Sequence, residues 1–286
     1  MIFRKRTIPD EEIMTLKEQR SMLGDQLNFA AAEAYKLLRA NLTFSLPDEQ
    51  KCRVVGVTSA VRGEGKSTTS INLAYTLAET GKRVLLVEAD MRRPQLAHRL
   101  AIDAAPGLSN LLAGLCREKD VVQDVGLLEN MKVITSGDVP PNPSELLGSE
   151  RMSTVVETLA QSFDFIIFDL PPVNAVSDGL VVSRFIQGMI VVVRQDYSDR
   201  QGLSAALRQL EYMHIKVLGF VMTHSSISGG RYGRYGRYGR YGRYGRYGRY
   251  GRYGQYGRYE SESRETGADQ ERARKTGSAK SRKSKR

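Results

Sequence analysis

Along this chain, short runs of β-branched and aliphatic residues alternate with longer stretches in which apolar positions recur every three or four residues. The short runs are almost continuously apolar, the form of strands buried on both faces: 53–58 (RVVGVT), 83–88 (RVLLVE), 131–135 (MKVIT), 164–169 (DFIIFD), 189–194 (MIVVVR) and 217–222 (VLGFVM). Between them, residues 66–79, 144–160 and 198–214 have helical spacing, and the run from Pro140 to Pro143 followed by Ser144 makes a stiff helix start. Strand alternating with helix predicts an α/β fold, a doubly wound and mostly parallel sheet with helices on both faces. Ahead of it, residues 28–42 read as an amphipathic helix and 45–50 as the loop into the first strand.

The alternation stops near Ser228, beyond which the only large nonpolar side chains are regularly spaced tyrosines. This predicts three parts: an N-terminal segment with its helix (1–50), one α/β domain (51–228) and a tail (229–286). Charge divides the chain at the same place. Of the 43 Lys and Arg and 32 Asp and Glu, residues 230–286 hold 18 and 5, so the tail carries +13 while the rest is about neutral at −2. The formal charge of +11 therefore describes the tail rather than a basic folded surface. Two cysteines, Cys52 and Cys116, are too few for a disulfide framework or a structural zinc site, which fits a reducing cytoplasm. The N-terminus lacks an apolar signal core, and no run approaches the ~18 residues of a membrane-spanning helix.

The first predicted strand runs into Ala60-Val-Arg-Gly-Glu-Gly-Lys-Ser67, a P-loop pattern with alanine at its first glycine position. Gly63 and Gly65 free the backbone N–H groups to curl around a phosphate, Lys66 reaches the outer phosphates, and the helix that follows points its positive end at the anion. Ser67 offers a hydroxyl to Mg²⁺. The expected nucleotide-binding set is Arg62, Gly63, Glu64, Gly65, Lys66, Ser67 and Thr68, with ATP and Mg²⁺ as cofactors. A hard cation takes carboxylates, and Glu88, Asp90 and Asp169 stand where strands of such a sheet end. Asp169 closes four apolar residues, and Pro171 and Pro172 after it argue against a plain helix cap. Glu88 and Asp90 are two apart, so on a continuing strand both turn toward one site, an arrangement that a cation between them would stabilise.

Several segments in this order resemble the bacterial tyrosine kinases of the capsular exopolysaccharide family: Glu33 to Arg39 (EAYKLLR), Thr58 to Ser67 (TSAVRGEGKS), Leu85 to Pro94 (LLVEADMRRP), Pro140 to Glu150 (PPNPSELLGSE) and Phe165 to Val173 (FIIFDLPPV). The likeness spans roughly residues 27–223. It implies a P-loop NTPase fold with Walker A, A′ and B motifs, in which Lys66 and Ser67 belong to Walker A, Glu88 and Asp90 to Walker A′, and Asp169 to Walker B. It further implies that Asp90 and Asp169 position Mg²⁺ while the first Walker A′ acid, here Glu88 in place of the usual Asp, helps take the proton from an incoming tyrosine. Glu33, Lys36 and Arg39 match a helix face with which the family assembles a ring of subunits, with Lys36 replacing an Arg. Read from the residues alone, that face is an ordinary solvated, salt-bridged one. The resemblance also implies a separate membrane-bound activator of the polysaccharide chain-length type, a tyrosine phosphatase, and a cytoplasmic site of action at the inner face of the membrane.

From Arg231 to Tyr259 the unit Arg-Tyr-Gly repeats, with Gln255 replacing one arginine. Its tyrosines are Tyr232, Tyr235, Tyr238, Tyr241, Tyr244, Tyr247, Tyr250, Tyr253, Tyr256 and Tyr259, the expected phosphoacceptors. With no aliphatic core to offset chain entropy, the sequence predicts a disordered arm. Arg grips phosphate and Tyr stacks on bases, so a nucleic-acid arm is the physical competitor, though no specific nucleic acid is expected. The rival for the domain is a positioning ATPase. Such proteins usually carry a lysine five residues before the P-loop lysine, where this chain has Val61. A nucleotide-dependent scaffold without catalysis is the other rival.

Overall fold

The computed structural model describes residues 22–46 and 51–225; the Arg-Tyr-Gly repeat, its tyrosines and the expected boundary near Ser228 lie outside them. The described residues form, in order, α1 (Phe29–Ser45), β1 (Arg53–Ser59), α2 (Lys66–Ala78), β2 (Val84–Glu88), α3 (Leu96–Leu100), α4 (Leu108–Leu112), α5 (Glu118–Val121), β3 (Gln123–Asp124), β4 (Met131–Ile134), α6 (Pro143–Leu147), α7 (Glu150–Ser162), β5 (Phe165–Asp169), α8 (Asp178–Val182), β6 (Gly188–Arg194), α9 (Arg200–Tyr212) and β7 (Val217–Thr223). Single 3₁₀ turns lie at Gly24–Gln26 and Ser183–Phe185.

One sheet runs β3-β4-β2-β5-β1-β6-β7. Every pairing is parallel except that of β3 with β4, so the fold is the mostly parallel, doubly wound α/β sheet that the alternation predicts. Because successive side chains of a strand point to opposite faces, each central strand feeds two cores. Val55 and Val57 of β1 pack with Ile71, Leu73 and Leu77 of α2 and Leu42 of α1. Val54, Ile166 and Phe168 face the other way, among Met152, Val155 and Leu159 of α7 and Ala206 and Leu210 of α9. Burial on both faces is why these strands read as continuous rather than alternating apolar runs.

Local chemistry sets the helix ends. Asn28 Oδ1 accepts the Ala31 N–H at 2.9 Å to start α1, and Asp199 Oδ1 accepts the Gly202 N–H at 2.7 Å to start α9. The expected helix over 144–160 is two helices. Ser149, whose hydroxyl accepts the Met152 N–H at 3.3 Å, caps a new start at α7, and Gly148 closes α6. No helix among the described residues is long and apolar enough to cross a membrane.

Candidate functional site

In an open parallel sheet, ligands bind beyond the carboxyl ends of the strands, near the point where the strand order reverses. Here β1 lies between β5 and β6, and the loop leaving its carboxyl end is Ala60 to Gly65. Gly63 and Gly65 have φ of 79° and 95°, left-handed conformations that glycine adopts without strain, and Gly65 stands at the N-terminus of α2. The loop turns its N–H groups and a helix N-terminus to one place, which suits a phosphate.

Neighbouring elements clamp the loop. The Glu64 carboxylate, 1% exposed, accepts the Val61 N–H at 2.8 Å and the hydroxyl of Ser198. The Glu64 carbonyl accepts the Thr223 hydroxyl at 2.7 Å, and the Gly63 carbonyl accepts Arg194 Nη1 at 3.1 Å. Glu64 thus shapes the loop from below, while Arg62 and Gly63 are exposed at its tip. Thr68, on the first turn of α2, accepts Arg99 Nη1 at 3.2 Å. Burial lowers the Arg99 pKa, opposed by the carboxylates of Asp169 and Glu88.

Lys66, Asp90 and Asp169 converge. Lys66 Nζ is 3.0 Å from Asp90 Oδ2 and 3.8 Å from Asp169 Oδ2. Burial pulls the Lys66 pKa down, but the two carboxylates outweigh it and hold the ammonium form. Asp169 is fully buried. Its Oδ1 accepts the Ser70 hydroxyl at 3.1 Å, while its Oδ2 is a buried oxygen without a hydrogen-bond partner. Lys66 Nζ also donates to the Ser67 hydroxyl at 3.4 Å, so the ammonium gathers two carboxylates and a hydroxyl around it, and oxygens of this kind fit a hard cation. Among the described residues no cluster of three or more acidic, histidine or cysteine ligands exists, so the cation's remaining ligands would come from phosphates and water, as Mg²⁺ prefers.

Glu88 is held differently from Asp90. It is the last residue of β2, and the pairing with β5 runs one residue further, where the Ala89 N–H donates to the Asp169 carbonyl at 2.9 Å; the turn begins at Met91. Glu88 Oε1 accepts the N–H groups of Gln95 and Leu96, the latter at 2.7 Å, and Oε2 accepts that of Ser136 at 3.1 Å. Fully buried, the carboxylate caps α3 and ties β2 to the loop after β4. Burial raises its pKa against the opposing pull of those three N–H groups. The extra methylene of Glu over Asp supplies the reach.

The helix face of Glu33, Lys36 and Arg39 divides. Glu33 and Lys36 pair with each other at 2.8 Å, both about half exposed. Arg39 turns inward, donating to the Thr76 carbonyl at 2.6 Å and lying 3.8 Å from Glu79, and so docks α1 on α2. Sequence reasoning missed Asp178, a fully buried acid at the start of α8 that accepts Arg92 Nε at 2.7 Å and the Ser144 hydroxyl. Its only signal was Arg92 two residues past Asp90, which does not name a partner so far along the chain.

Fold and loop together define a P-loop NTPase-type domain. The family model described as an AAA domain matches residues 52–218. The chain is 34% identical over 197 residues to the tyrosine-protein kinase YwqD of Bacillus subtilis, an alignment covering 69% of this chain and 82% of that one. Among solved structures it resembles the chimerical protein CapA2B2 (TM-score 0.67, 31% identity, 72% of this chain and 89% of the other) and the kinase domain of the Escherichia coli tyrosine kinase ETK (TM-score 0.66, 30% identity, 80% and 86%). This chain belongs to the bacterial tyrosine kinase family.

Proposed function

We propose that this protein transfers the γ-phosphoryl group of MgATP to tyrosine hydroxyls, chiefly those between Tyr232 and Tyr259 of its own tail. The observation that carries the proposal is the convergence of Lys66 with Asp90 and Asp169 at the carboxyl edge of the sheet, beside a glycine loop suited to phosphate. Residues 62–68 would hold the phosphates; Ser67, Asp90 and Asp169 would hold Mg²⁺, which shields the charge that spreads over the transferring group. Lys66 meets the γ-phosphoryl oxygens. The tyrosine oxygen attacks phosphorus in line, the bond to the β-phosphate oxygen breaks, and the phenol loses its proton. With Glu88 occupied by three backbone N–H groups and Asp90 engaged by Lys66 and the cation, the proton passes to an oxygen of the transferring phosphoryl group. Positioning supplies most of the acceleration.

Family membership extends the proposal to regulation of capsular or exopolysaccharide synthesis and export, an activator protein in the membrane that brings the kinase to its inner face, assembly into a ring through the α1 face, and reversal by a tyrosine phosphatase. Ten phosphotyrosines would add about −15 to −20 charge to a tail carrying +13, reversing its sign and loosening contacts with acidic partners and between subunits. The test is incubation of the full chain with MgATP, with and without an activator fragment, followed by mass spectrometry of the tail. Phosphotyrosine that disappears in Lys66→Met supports the kinase reading. ATP hydrolysis with no phosphotyrosine under either condition refutes it in favour of a positioning ATPase or scaffold.

A further inference from the structure

The strand order fixes which way a nucleotide must lie on the loop. β1 has β5 and β2 on one side and β6 and β7 on the other. Asp169 ends β5 and Asp90 follows β2, and Lys66 leans toward both. A triphosphate whose outer end meets those groups must leave its nucleoside end on the opposite side of the loop, over the carboxyl ends of β6 and β7.

A rigid aromatic plane stands there. Arg194 is the last residue of β6, and the turn after it folds Tyr197 back against the P-loop. The Tyr197 hydroxyl lies 3.2 Å from the point that a Cβ on Gly63 would occupy. The Arg194 guanidinium sits over the ring, 4.9 Å from its centroid, while its Nη1 donates to the Gly63 carbonyl at 3.1 Å. The turn is closed on itself: the Arg194 N–H donates to the Ser198 hydroxyl at 2.8 Å, and the Ser198 N–H returns to the Arg194 carbonyl at 3.0 Å. The Ser198 hydroxyl bonds in addition to Glu64, inside the loop itself. Tyr197 nonetheless remains 53% exposed, outside both hydrophobic cores. A large aromatic held this firmly, with a cation on the ring and half its surface open, is built for stacking rather than for core packing.

We propose that Tyr197, backed by Arg194, is the platform on which the base of the bound nucleotide stacks. The inference rests on the reading of the loop as an ATP site and adds the residue that receives the base. Stacking uses the face that every base has, so this contact favours nucleotides over bare polyphosphate without choosing strongly between adenine and guanine.

The test is calorimetric titration of the full chain with MgADP and, separately, with magnesium tripolyphosphate, which has no base. In Tyr197→Ala and Tyr197→Leu, affinity for MgADP falls about ten-fold, the effect of removing one stacking aromatic, while tripolyphosphate binds within about two-fold of the native value. Tyr197→Phe keeps MgADP within about two-fold. The leucine variant preserves bulk beside Gly63, so its result decides even where the alanine variant folds poorly. If both variants bind MgADP like the native chain, or lose MgADP and tripolyphosphate in equal measure, the platform is refuted while the ATP reading stands. A native chain that binds neither ligand refutes both together.

Discussion

Replacing Glu88 by glutamine separates a structural carboxylate from a catalytic one. The substitution is nearly isosteric, and its carbonyl can keep the two bonds from Gln95 and Leu96. The new amide NH₂ must then face the Ser136 N–H, donor against donor, where Oε2 had accepted at 3.1 Å. Losing one buried bond to a charged acceptor, and leaving that N–H unpaired, costs about 2 kcal/mol. Urea unfolding of the nucleotide-free protein at neutral pH reads this cost directly, and initial rates of tail phosphorylation by the still-folded variant read the chemistry. With Glu88 acting only through the loops it holds, the rate falls no more than about ten-fold, whereas removing a general base costs about a hundred-fold or more. Unchanged stability combined with a loss of that larger size would refute the structural assignment and return the proton-accepting role to Glu88.

Three further outcomes follow from the same structure. Arg39→Ala removes the bond to the Thr76 carbonyl and the pairing with Glu79, and lowers unfolding stability by about 1 kcal/mol. Lys36→Ala leaves stability unchanged because that side chain meets only Glu33 at the surface, so sedimentation of the Lys36 variant isolates any part this face plays in self-association. Cys52 is buried, and burial pushes its thiol up to about 11. In the folded protein it stays protonated at pH 8, whereas the unfolded thiol begins to ionise near 9. Iodoacetamide at pH 8 therefore modifies Cys52 only after unfolding, and native stability falls as pH rises from about 9 toward 11, because over that range the unfolded thiol has shed its proton while the folded one keeps it. Peptide mapping that finds rapid native-state alkylation at Cys52 would contradict the burial.

The central strands were legible because burial on both faces forces continuous apolar runs, and each expected strand lies within a residue or so of its observed place. The P-loop was legible because glycine, lysine and serine at fixed spacing answer to the shape of phosphate. What escaped were elements of four or five residues, α3, α4, α5 and α8, whose single turns are too short to show a helical period, and β3, a two-residue edge. The division of α6 from α7 was written in Gly148 and Ser149 but hidden by apolar spacing that runs across the break. The partners of Glu88 and Arg39 escaped the sequence for a common reason. Spacing tells which way a side chain leaves its own element, while the partners that decide its role, Ser136 for one and Thr76 for the other, are brought in by distant segments.

On the function proposed above, the position of Lys66 makes the site an ion exchanger. Its ammonium already serves as counter-ion to Asp90 and Asp169, at 3.0 and 3.8 Å, so a lone divalent ion gains little by entering, since it must first evict a cation that has nowhere favourable to go. A triphosphate changes the balance by offering the lysine a new anion as it delivers the metal. The two exchanges are thermodynamically one event, and affinity for Mg²⁺ becomes a property of the nucleotide complex rather than of the protein.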